Sequence, residues 1–154
     1  MMLKRTLDLA AIKSFMMLPE IYALASEDGA SLNPDFTESG REIWVLAIED
    51  DSVVGIVHCH LENGAAAWFH PYILRSHKKE YLSLVKLFLQ WFDKYFPVEI
   101  QKLNAYIPTY ANKAYELAMS AGFKDEGLNR MSYKKNGKLW DRHLVGVIRG
   151  ELNV

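Results

Sequence analysis

The sequence predicts one α/β (α+β) domain over residues 1–154, with a mixed central sheet of about six to seven strands, a βαβ core and flanking helices. Three observations carry that expectation. Residues 42–73 read as consecutive strand-like runs separated by turn clusters, and residues 76–96 hold apolar side chains at a helical period before a further strand-like run at 101–107. The chain then closes on two strand-like runs around Asn136-Gly137, a pair that favours a tight hairpin.

Taken in order, residues 3–8 make a short first strand, after which Leu9, Ile12, Met16 and Met17 keep a helical spacing. Pro19 lacks a backbone donor and clashes with the preceding turn, so two short helices or one kinked helix are expected, ending at Gly29. The stretch SLNPDFTESG, residues 31–40, offers turn chemistry and little to bury. Strands are expected at 42–49, 53–61 and 65–73, with turns at Asp50-Asp51-Ser52 and at Asn63-Gly64. Pro71 predicts that ladder pairing of the third of these ends there. The helix over 76–96 stops at Pro97 and leads into the strand at 101–107, a βαβ unit whose strands should be parallel. Thr109 is the expected N-cap of a second helix whose C-cap is Gly122, and strands at 126–134 and 138–149 end the chain. The last of these is long and largely apolar, and such an edge predicts a covering partner, hence a homodimer.

Composition narrows the function. The 154 residues are 50% hydrophobic and 24% charged, which excludes a disordered or low-complexity chain. A formal charge of -1 gives no global field toward nucleic acid or an anionic membrane, so any anion site must be local. Trp44, Trp68, Trp91 and Trp140 form no spaced stacking series for single-stranded nucleic acid. The lone Cys59 forms no internal disulfide, and Asp8 and Lys13 interrupt the only signal-like start, so a cytoplasmic location is expected.

The element order is strand, helix pair, three-strand meander, helix, strand, helix, hairpin. With Ala114, Leu117, Gly122 and Phe123 matching the run Asn-x-x-Ala-x-x-Leu-Tyr-x-x-x-Gly-Phe, and His70-Pro71 ahead of a basic helix start, the chain resembles the GCN5-related N-acetyltransferase (GNAT, acyl-CoA N-acyltransferase) superfamily. The segments FMMLPEIY and FHPYI resemble its phage-type branch.

The resemblance implies an acetyl-CoA-dependent transferase acting on a small-molecule or peptide amine, which enters by the loop at 29–41. It places the cofactor along Trp68, Phe69, Arg75, His77, Lys78, Lys79 and Asn112. Pyrophosphate would sit at the start of the central helix, where free amides and the helix dipole favour an anion. Arg75 matches the family's loop, but Lys78 replaces its first glycine and Glu80 its small residue, so grip would come from Arg75, His77, Lys78 and Lys79. A splay is expected near Trp68 to Pro71 and Asn104 to Ile107, freeing a backbone donor for the thioester.

The family's helix Tyr and Asn fall at Ala118 and Ala111, which leaves Tyr115, three residues before Ala118, as a substitute catalytic residue. His70 is the candidate base, because its ordinary pKa near 6.5 suits proton transfer. His58 and His60 share a strand face without a third ligand at suggestive spacing, so no metal site is expected there and they read as sheet surface. The missing glycines and vacant Tyr and Asn positions motivate the alternative, a GNAT-fold module that no longer catalyses and serves interaction or phage assembly.

Overall fold

The computed structural model describes residues 1–37 and 39–153; Glu38, within the expected 31–40 loop, and Val154 lie outside the described residues. The seven strands are β1 (Met2–Thr6), β2 (Glu42–Glu49), β3 (Ser52–Leu61), β4 (Ala66–Ile73), β5 (Lys102–Pro108), β6 (Lys124–Lys135) and β7 (Lys138–Ile148). They form one sheet in the order β1-β2-β3-β4-β5-β7-β6. Among the described residues only β4 and β5 pair in parallel, as strands joined by a crossover through a helix do. The apolar strand β7 is therefore interior, between β5 and β6, and the edge is β6; the edge argument for a dimer falls with that correction.

Helices α1 (Leu9–Met16) and α2 (Pro19–Ala25) cover one face, and α3 (Tyr81–Tyr95) and α4 (Asn112–Ser120) cover the other. Asp8 caps α1 by accepting from the Ala10 and Ala11 amides at 3.0 and 3.1 Å. Pro19 opens α2, where a missing N–H costs nothing, so the pair is two helices and ends at Ala25 rather than Gly29. Side chains alternate along β2: Ile43, Val45 and Ala47 join Phe69, Leu84, Phe88, Phe92 and Leu103 beneath α3, while Trp44 and Leu46 join Ile12, Phe15, Ile21 and Ile56 beneath α1 and α2. Cys59 lies fully buried in the first of these cores.

Three local expectations are corrected. The β2–β3 turn is a left-handed pair, Asp50-Asp51, with φ of 48° and 60°, whereas Asn63-Gly64 adopts no positive φ. Instead Asn63 Oδ1 accepts from the Ala65 and Ala66 amides at 2.8 and 3.0 Å, a side-chain turn that needs no left-handed residue. Thr109 does not cap α4, whose cap is Ala111; the Thr109 amide is donated to Asp141 across the sheet. The helix expected from residue 76 begins as a 3-10 segment, Arg75–Glu80, and becomes α-helical at Tyr81. Gly122 does follow α4 with φ of 100°. Among the described residues, no helix is long and apolar enough to cross a membrane.

Candidate functional site

The parallel pair sets the site. β4 and β5 pair only over Ala66↔Lys102, Ala67↔Leu103 and Trp68↔Asn104, yet β4 continues to Ile73 beside β3 and β5 to Pro108 beside β7. Beyond Trp68 and Asn104 the two strands part and leave a gap. The β3–β4 ladder runs straight past Pro71, so the proline does not end that pairing, contrary to expectation. Leu74 donates to Val54 and Glu62 to Ala66 across this ladder, and alternation turns the backbone groups of Phe69, Pro71 and Ile73 toward the gap. Pro71 thus sits where its missing N–H disturbs no ladder.

At the mouth of the gap, Asn104 is 8% exposed and its Oδ1 has no hydrogen-bond partner. A buried acceptor left unpaired costs about 1–3 kcal/mol, so this atom fits an N–H of a bound molecule. Beside it Trp68 stacks on Tyr106 with ring centroids 4.8 Å apart, and the Arg142 guanidinium lies 4.1 Å from the Tyr106 ring.

The α1–α2 face of the sheet carries a row of ionisable groups. Trp44, His58 and His70 stand opposite one another across β2, β3 and β4; Trp44 stacks on His58 at 4.0 Å and His58 faces His70 at 5.9 Å. The Glu42 carboxylate takes hydrogen bonds from both His58 Nε2 and His60 Nδ1. Burial opposes its charge, but the bonds from His58 and His60 outweigh that and hold the Glu42 pKa below the ordinary value. Burial also lowers the pKa of His58, with Glu42 opposing, and drops that of His70 to about 4, helped by its neighbour His58. Both imidazoles are therefore neutral at pH 7, and His58, with Nε2–H given to Glu42, keeps its lone pair on Nδ1.

His58 and Glu42 line a cavity of about 460 Å³ between this face, α2 and the loop after it. Its walls include Tyr22, Phe36, Trp44, Tyr72 and Tyr133, and the carboxylates Glu27, Asp35 and Glu42; among the described residues no Lys or Arg lines it. Ser31 and the run Pro34–Thr37, within the loop expected to admit the amine, form part of the wall. The outer wall is tied down by Asp28, which accepts from the Asn136 and Gly137 amides at 3.1 and 2.7 Å, and by Lys135, which donates to the Ala23 and Ser26 carbonyls.

The other expected residues spread around the gap. Trp68 lies on the cavity face, while Phe69 points the opposite way and stacks on Phe88 at 5.1 Å. Arg75, Lys78 and Lys79 are exposed along the 3-10 segment, but the amides of Arg75 and His77 are already engaged by Glu20 and Leu74. Asn112 is the exposed first residue of α4. Tyr115 donates its hydroxyl to Asp125 Oδ2 at 2.8 Å and packs on His143 at 4.3 Å. That bond to Asp125, with burial, raises the Tyr115 pKa, so the phenol stays protonated. Asn104, Glu42 and the cavity role of His58 escaped the sequence reading, because each depends on strand register.

No protein-family model matches the chain. Solved structures do. Spermidine N-acetyltransferase from Vibrio cholerae, in complex with CoA and spermine, superposes with a TM-score of 0.76 at 17% identity, covering 97% of this chain and 96% of that one. A putative phosphinothricin N-acetyltransferase gives 0.72 at 16% identity over 96% of this chain and 99% of its own. A GNAT-family acetyltransferase from Bacillus anthracis gives 0.60 at 15% identity over 72% and 68% of the two chains. The chain has the GNAT fold.

Proposed function

We propose that the chain transfers an acetyl group from acetyl-CoA to an amine that arrives as a cation in the acid-lined cavity. The observation that carries this reading is the parting of β4 and β5 at Trp68 and Asn104, with an unpaired buried acceptor at the mouth and a neutral histidine on the face it opens to.

When bound, acetyl-CoA supplies a thioester, an acyl group activated toward amines. Asn104 Oδ1 would accept an amide N–H of the pantetheine arm, and the Phe69 N–H, turned away from the β3–β4 ladder, would favour negative charge on the acyl oxygen. Trp68 and Phe69, on opposite faces of the sheet, would flank the arm. Arg75, Lys78 and Lys79 would provide cations for the pyrophosphate, with Asn112 at the start of α4 as a further polar group; without glycines, the 3-10 segment would grip by charge.

Glu27, Asp35 and Glu42 attract an ammonium group, and Trp44, Tyr72 and Tyr133 give it aromatic walls. His58 then removes a proton from that ammonium through Nδ1, because a protonated amine has no lone pair with which to attack. Glu42 holds the ring and stabilises the imidazolium that forms. His58 takes this role in preference to His70, since it borders the cavity and has a carboxylate behind it, whereas His70 at a pKa of about 4 is a weak base packed against it. Tyr115, held protonated by Asp125, would be the group that supplies a proton to the leaving thiolate. Polyamines such as the spermidine of the Vibrio cholerae enzyme's name have the charge this cavity accepts.

Thiol release from acetyl-CoA with a panel of spermidine, phosphinothricin and an arylamine tests the proposal. Release with a cationic amine, lowered about 10²–10⁴-fold by His58→Gln, is expected. No release with any amine, and no change in melting with CoA, overturns it in favour of the non-catalytic module.

A further inference from the structure

Away from the cavity, three side chains of metal-ligand type converge where the β2–β3 turn meets the start of α3. Glu49 is the last residue of β2, held in place by the left-handed pair Asp50-Asp51; His77 and Glu80 lie on the 3-10 segment. One ligand atom from each falls within 4.8 Å of the other two. Two carboxylates at that separation repel, and among the described residues no ion pair is made to either of them. Glu80 Oε2 is shielded from solvent and has no hydrogen-bond partner, a state that a buried carboxylate oxygen does not occupy without cost. His77 Nδ1 lies 2.8 Å from Ser76 Oγ; with Nδ1–H donated there, Nε2 carries the free lone pair.

We propose that Glu49, His77 and Glu80 bind one first-row divalent cation, with water completing its shell. Two carboxylate oxygens and one imidazole nitrogen suit Zn²⁺ or Mn²⁺ better than Ca²⁺, which takes oxygen alone, or Cu⁺, which seeks sulfur. The ion fills the space between the three donors, pairs the orphaned oxygen, and fastens the β2–β3 turn to the start of α3. This site is independent of the acyltransfer reading, because the metal alone is the probe.

Calorimetric titration of the chelator-treated full chain with Zn²⁺, and separately Mn²⁺, at pH 7 is the test. One ion per chain is expected, with a rise in melting temperature. The near-isosteric Glu80→Gln and Glu49→Gln, and His77→Ala, each weaken binding at least tenfold while circular dichroism shows an intact fold. Absence of saturable binding overturns the proposal. So does binding that survives all three substitutions, as for an ion seated on Glu42, His58 and His60.

Discussion

Burial of His70 makes the fold acid-sensitive in a calculable way. Its pKa is about 4 in the folded chain and near 6.5 when unfolded. Below pH 6.5 the unfolded chain therefore takes up a proton that the folded chain refuses until about pH 4, and stability falls as pH drops through that window. At 1.36 kcal/mol per pKa unit, His70 alone removes about 2 kcal/mol at pH 5 and about 3 kcal/mol at pH 4, relative to pH 7. Replacement by Gln, neutral at every pH, deletes this contribution. Urea unfolding followed by tryptophan fluorescence at pH 7 and pH 5 gives the stability each protein loses, and the two losses should differ by about 2 kcal/mol, the wild type losing more. His58 also has a lowered pKa but is present in both proteins, so it cancels. Equal losses in wild type and His70→Gln would mean that His70 takes up its proton as readily in the folded chain as in the unfolded one.

Other perturbations have equally direct readouts. A methyl group at Gly55 meets the Tyr72 carbonyl oxygen at 2.9 Å and Leu84 at 3.3 Å, so Gly55→Ala must spread β3 from β4 and should cost about 1–3 kcal/mol in urea unfolding. Phe88 is fully buried between Phe69 and Trp91, and Phe88→Ala should cost about 3–5 kcal/mol by the same method. Asp28→Ala frees the Asn136 and Gly137 amides, whose hydrogen exchange should quicken while that of β2 and β3 stays unchanged.

The fold was largely legible because its signals are local. Periodicity marked β2, β3, β4 and α3, and Asn136-Gly137 and Gly122 adopt the left-handed φ that their residue types foretold. Local chemistry misled where two devices compete: Asn63 makes the β3–β4 turn with its side chain, so no left-handed pair is needed there, while Asp50-Asp51 and Asn136-Gly137 turn through positive φ. The order of the last strands is not local at all, and nothing in β7's own composition says that β6 returns outside it.

The site was harder for a related reason. Counting back from the Glu49↔Ser52 pair places Glu42 opposite Cys59, on the core face. A register shift between Ala47 and Ile48 moves it opposite His60, where its carboxylate joins two histidines that looked like mere sheet surface. The splay could be expected only through the resemblance to the GNAT family. Its mouth at Asn104 depends on where a parallel ladder stops, which no single strand records.

A crystal structure of the chain with CoA bears on the central claim most directly. The pantetheine arm is expected between β4 and β5 beyond Trp68 and Asn104, with an amide N–H on Asn104 Oδ1. An arm lying elsewhere on the surface, or strands that close together to Ile73 and Pro108 with the ligand excluded, would contradict it.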